Sequence, residues 1–170
     1  MSHSLTSKLL VLLLALPLPL YALPNDNKAP LNIFSNSSQH NYKLRETWFE
    51  GKVKIHQGST HLTAERLVTK KNGKNKVEEV IAYGGDKQAH YWTQPKVGEE
   101  VMHARAKVMK IYPQQSKIVL EGNVLVSQGK NHFQGQIIVY NTKRQIITVP
   151  ANKNSRATFV IEADQVKAAV

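Results

Sequence analysis

The chain has 170 residues, 41% of them hydrophobic, and a formal charge of +11. That is enough for one domain with a real core, too little for two comfortable ones, and it argues against wholesale disorder. With no cysteine anywhere, a disulfide framework and a lipid-modified N-terminal cysteine are both excluded, and a domain in an oxidising compartment has to be held by its own core.

Residues 1–22 read as a signal peptide. Lys8 supplies the positive start, Leu9 to Leu20 form an almost purely apolar run, and Ala22 offers a small residue for cleavage. The run is shorter than the roughly 20 apolar residues a spanning helix needs, and Pro17 and Pro19 interrupt it. An uncleaved membrane anchor is the other reading of the same stretch. A basic exported chain is suited to an anionic membrane or a phosphorylated glycolipid, while export argues against nucleic acid as a partner.

Residues 23–30 form a polar, proline-bounded linker, and residues 31–170 a single domain. From Leu31 onward β-branched residues alternate with polar ones and are punctuated by Gly and Asn, the pattern of strands. Only Val97 to Lys110 resembles a helix, and its apolar residues do not keep a 3.6-residue period for long.

The chain repeats itself. Glu50-Gly51-Lys52-Val53-Lys54-Ile55-His56-Gln57-Gly58 returns as Glu121-Gly122-Asn123-Val124-Leu125-Val126-Ser127-Gln128-Gly129, and the match runs without a gap through His61/His132 to Val68/Val139. Beneath it lies a shorter unit, apolar–x–small–polar–x–apolar, as in Leu62-Thr63-Ala64-Glu65-Arg66-Leu67 and Phe133-Gln134-Gly135-Gln136-Ile137-Ile138. Its small residues are Ser35, Ala64, Ala106, Gly135 and Ala163, and a second marker falls between them at Gly51, Gly85, Gly122 and Ala151. The spacing is even except between Ala64 and Ala106, where insertions around Lys70 to Lys76 and Thr93 to Glu100 explain the excess.

At each small residue the apolar spacing jumps from two to three. A strict period of two would send the next apolar side chain to the outer face, so the extra residue restores inward pointing, and a small side chain lets the strand bend. Each repeat then wraps around a common axis, and stacking buries an interior that no single rung could form. The expected fold is all-β: an elongated jelly roll with two facing sheets.

The Glu-Gly-x-Val-x-Val/Ile-x-Gln-Gly segments, followed by apolar-x-Ala-Glu/Asp-x-apolar corners, resemble the OstA-like family over about Leu31 to Val170. The resemblance implies a twisted, V-shaped β-jelly roll in the periplasm, whose interior shelters the acyl chains of lipopolysaccharide. It also implies copies joined end to end through edge strands, with an LptC-like protein anchored in the inner membrane at one end and an LptD-like outer-membrane protein at the other. Candidate edges lie near Leu31 to Ser35 and Thr158 to Val166. The last corner, Ala163, falls close to the final residue, so the last strand is expected to be an exposed or incomplete edge. Two other readings stay open: an LptC-like anchored component, and an adaptor that bridges proteins without touching lipid.

The repeat register predicts the inward face. Ile33, Phe49, Val53, Ile55, Leu62 and Leu67 occupy it in the first rungs. Met109, Ile111, Leu120, Val124, Val126 and Phe133 follow, then Ile138, Tyr140, Ile147 and Val149. Ile81 and Tyr91 are added with poorer register across the insertions. These side chains are expected to form the lipid-binding trough, and equally to pack the core.

Lys70, Lys71, Lys74 and Lys76 read first as a solvated hairpin loop, and could also attract phosphates. The histidines have no metal-site spacing, and the repeat-equivalent His61 and His132 point to a structural role. No Gly-x-Ser-x-Gly, His-Glu-x-x-His or phosphate-loop motif is present, and repeat symmetry accounts for Glu50 and Glu121 without catalysis. The expectation is a protein that is not an enzyme and needs neither cofactor nor metal.

Overall fold

The structure is a computed structural model and describes residues 29–151 and 156–161. The expected signal peptide, nearly all of the linker and the corner at Ala163 lie outside the described residues. Among the described residues, twelve strands form one continuous antiparallel system. They are β1 (Asn32–Phe34), β2 (Ser37–Asn41), β3 (Glu46–Gln57), β4 (Thr60–Lys71), β5 (Val77–Tyr83) and β6 (Ala89–Thr93), then β7 (Met102–Ala106), β8 (Val108–Tyr112), β9 (Lys117–Gln128), β10 (Asn131–Asn141), β11 (Ile146–Thr148) and β12 (Thr158–Val160). A short 3₁₀ turn, Pro113–Gln115, leads into β9.

The long strands β3, β4, β9 and β10 each belong to two layers. In the first layer β2 lies beside the early half of β3, followed by the late half of β4, then β5, β8, the early half of β9, the late half of β10, and β11. In the second, β1 lies beside the late half of β3, followed by the early half of β4, then β6, β7, the late half of β9, the early half of β10, and β12. The result is a stack of bent rungs, each with one limb in either layer. The segment from Val97 to Lys110 is not helical but supplies β7 and β8.

Among the described residues, both classes of sequence marker fall at bends, on alternating rungs. Between β3 and β4 the register shifts so that Gly51 and Lys52 stand opposite Glu65, and between β9 and β10 Gly122 and Asn123 stand opposite Gln136 in the same way. Two residues against one is a β-bulge, which sharpens twist and bends the strand. Gly51 and Gly122 have φ of 76° and 82°, with Lys52 and Asn123 following at 50° and 49°. The first position of each bulge is glycine because a side chain there would also collide: a Cβ would come within 2.5 Å of Asn36 at Gly51 and 2.9 Å of Lys107 at Gly122. The other repeated glycines, Gly58 and Gly129, open the two-residue turns of the β3–β4 and β9–β10 hairpins at φ of 58° and 59°, as a type II′ turn favours. The two insertions fall in the β4–β5 and β6–β7 connections.

Candidate functional site

Ladder pairing carries single side-chain positions across the whole stack. In the second layer Ile33, Ile55, Leu62, Tyr91, Ala104, Val126, Phe133 and Phe159 are successive cross-strand partners. In the first layer Phe49, Leu67, Ala82, Met109, Leu120 and Ile138 do the same. Both ranks face inward, where Leu67, Met109 and Ile138 have no exposed surface. Inward-facing neighbours on adjacent strands put apolar groups in contact along the long axis of the stack, which no single rung can do.

Seventeen of the eighteen predicted inward residues belong to this apolar cluster. Val53, Leu62, Leu67, Tyr91, Met109, Leu120, Val124, Val126, Ile138 and Tyr140 are buried in it, while Ile33, Phe49, Ile55, Ile111, Phe133, Ile147 and Val149 pack partly buried against it. Ile81 is the exception. It is buried, but it pairs with Val68 and Lys110 on the opposite face, and its neighbours Val80 and Ala82 point inward instead. Strand alternation forces that choice: the partners of Ala82 are Leu67 and Met109, both inward. The repeat register also passed over Ala89, Met102, Ala104, Ala106 and Ile118, which are buried in the cluster. Ile118 alternates in step with Leu120, and Met102, Ala104 and Ala106 alternate with one another, so a period-two count alone would have found them.

Between the two layers lies a trough of about 710 Å³, lined from β1 as far as β10 and the turn that follows it. Ile33, Ile55, Leu62, Tyr91, Ile111 and Tyr140 line it, together with Leu31, Val80 and Ile118. Its mouth lies between the free ends of the two layers, with Gln57, Thr60, Thr93, Gln94 and Pro95 on one side and Tyr112, Ser116, Lys117, Thr142 and Lys143 on the other. Burial, and secondarily the charge of Glu99, push the Tyr140 hydroxyl above its usual pKa, so it enters the trough as a neutral phenol.

The outer face of the second layer is largely polar, whereas Trp48, Val68, Ile81, Val119 and Val139 form an apolar rank, interrupted by Lys110, on the outside of the first. Asn32, His56, His61, Trp92, His103, Ser127 and His132 are consecutive partners on the outside of the second layer. His61 stacks between His56 and Trp92 at centroid distances of 4.6 and 4.8 Å, and His90 lies 3.2 Å from His103, ring nitrogen to ring nitrogen. Among the described residues no group of three or more His, Asp or Glu is placed to hold a metal. Glu121 accepts a hydrogen bond from Lys110 Nζ at 2.7 Å, and Glu50 is exposed on β3. Lys70 is drawn to Glu46 and Glu79 at 3.8 and 3.4 Å and, like Lys71, belongs to strand β4, so only Lys74 and Lys76 of the expected basic loop sit in the β4–β5 turn.

These features define a class: a β-jelly roll of bent rungs around an elongated apolar trough open at the side. The chain belongs to the family described as LptA/(LptD N-terminal domain) LPS transport protein, whose profile matches residues 32–146. It is 31% identical over 137 residues to the lipopolysaccharide export system protein LptH of Pseudomonas aeruginosa, covering 81% of this chain and 77% of that one. It is 28% identical over 156 residues to the lipopolysaccharide export system protein LptA of Escherichia coli K12, covering 91% and 83%. The fold superposes on the crystal structure of LptH, described as the LptA-homologous periplasmic component of the lipopolysaccharide transport device of P. aeruginosa. The TM-score is 0.74 at 29% identity, over 82% of this chain and 99% of that one.

Proposed function

We propose that this protein carries lipopolysaccharide through the periplasm, sheltering its acyl chains between the two layers, and that it is not an enzyme. The observation that carries this reading is the pair of apolar ranks running the length of the stack in a member of a lipopolysaccharide-transport family. Exposing acyl chains to water costs about 0.8 kcal/mol per methylene, so a 12-carbon chain needs roughly 10 kcal/mol of shelter. A continuous apolar trough supplies it without chemistry.

The ends of the stack support assembly. Among the described residues β1 and β2 pair only with β3, and β11 and β12 only with β10. Phe34 on the first rung is 61% exposed and Phe159 on the last is 53% exposed. Phe159 belongs to the inward rank, so the apolar interior continues to the last described rung. Open strand edges recruit further strands by β-augmentation. Copies of the chain, an LptC-like anchored protein and an LptD-like outer-membrane protein are the partners proposed for those edges, and residues 1–22 are proposed to be removed on export.

A photocrosslinker at Ile111, inside the trough, is expected to capture lipopolysaccharide, and one at Lys54, exposed on β3, is not. Capture at neither position, with the protein folded and its partners still bound, would favour a purely structural adaptor. An exported protein whose mass retains residues 1–22 would favour the anchored reading.

A further inference from the structure

The two lips of the trough differ in charge. Each lip is made of the turns that join neighbouring rungs at the open side. In the first layer these are residues 42–45, 72–76, 113–116 and 142–145; in the second they are 58–59, 94–101 and 129–130. The first set holds Lys43, Arg45, Lys74, Lys76, Lys143 and Arg144 and no Asp or Glu. The second holds Lys96 and Lys130 against Glu99 and Glu100, with Lys96 paired to Glu99 at 3.2 Å.

None of the six first-lip cations is within ion-pair distance of a carboxylate among the described residues. Glu46 and Glu79, on the adjoining strand ends, are engaged by Lys70, while Glu78 stays exposed. The charge also reaches the trough itself. Lys143 lines it, as does Lys117, whose Nζ sits 4.6 Å over the Tyr112 ring, whereas the lining residues of the opposite lip are uncharged.

A cationic lip along one side of an apolar trough fits an amphiphile whose anionic groups lie beside its acyl chains. We propose that the first-layer turns form a headgroup rail: the phosphates of an acylated, phosphorylated glycolipid rest on it while the chains enter the trough. This rests on the carrier reading above and adds direction to it. Every lipid then rides with its headgroup over the first layer, and successive molecules pass along the stack without turning over. Nucleic acid would use the cations and leave the trough idle, and a neutral lipid would do the reverse. Only the combined chemistry uses both.

The test compares two probes with identical acyl chains, bisphosphorylated lipid A and its dephosphorylated form, binding to the exported full chain. The native protein is expected to prefer the phosphorylated probe by roughly tenfold at low ionic strength, with the preference shrinking as salt screens it. Replacing four cations of the rail that do not line the trough (Lys43→Gln, Lys74→Gln, Lys76→Gln, Arg144→Gln) should lower that preference below about threefold and leave the dephosphorylated probe bound as before. Lys43→Arg with Lys74→Arg should keep it, as should Lys96→Gln with Lys130→Gln on the other lip. The rail is overturned if the native protein binds both probes equally, if the preference survives the four Gln substitutions, or if the second-lip variant loses it as fully. Failure of the native protein to bind either probe would instead overturn the acyl trough, and the rail with it.

Discussion

Leu67, Met109 and Ile138 owe their complete burial to the same geometry: each stands in the inward rank with apolar partners on either side or below. Truncating Leu67 to Ala removes methylenes that the rigid ladder cannot collapse to fill, and should cost about 2–4 kcal/mol in urea unfolding. His90 responds to acid. Burial first, then Arg105 and then His103, lower its pKa from 6.5 to about 4. The unfolded chain takes up a proton near 6.5 and the native protein only near 4, so stability is whole above pH 6.5 and is lost as pH falls from 6.5 to about 4. Allowing for solvent screening of a half-exposed ring, the loss is roughly 1–2 kcal/mol. His90→Gln should flatten that limb of the stability–pH curve, and an unchanged curve would show that other groups set it.

At the level of the element, the bends hold the two layers at their angle. Gly122 has φ of 82° and no room for a Cβ against Lys107. Gly122→Ala should therefore cost about 1–3 kcal/mol, through left-handed backbone and crowding together. The equivalent Gly51→Ala should cost a similar amount, because the same bulge recurs between β3 and β4. Urea midpoints of both variants check this, and a loss confined to one would mean that the repeats do not carry equal strain. Cross-strand ion pairs on the outer faces, such as Lys110 with Glu121, matter far less. Both side chains are about one-third exposed, and such pairs contribute about 0–1 kcal/mol.

At the scale of the molecule, among the described residues, the apolar interior ends in rungs that pair on one side only, and concentration should therefore drive the chain to associate. Phe34 stands exposed on the first rung, so Phe34→Asp should raise the concentration needed for end-to-end association by about tenfold in sedimentation measurements. A lipid-binding signal from the trough should be unchanged in that variant, since Phe34 does not line it. If association is unaltered, the first rung is not the joining edge.

Most of the architecture was legible in the chain because its signals are local. Alternation with period two, a jump to three at Ala64 and Gly135, and glycines recurring at Gly51 and Gly122 are properties of a few consecutive residues, and they dictate strands, bends and the inward face. Ile81 shows where this reasoning ends. Val80, Ile81 and Ala82 are all apolar, so size favours Ile81, and only pairing with Leu67 and Met109 turns Ala82 inward. The insertions before β5 and before β7 break the repeat count there, so the register carried across them was poorer: it placed Tyr91 correctly and Ile81 on the wrong face. The histidine–tryptophan rank and the unequal charge of the two lips were likewise hidden, since their members are far apart in the chain and become neighbours only through the ladder. Sequence alone decided how each rung folds and bends, because those choices depend on neighbouring residues. Which residues share a rank, a lip or a mouth was decided only when the rungs stacked, because that depends on partners the chain places many residues away.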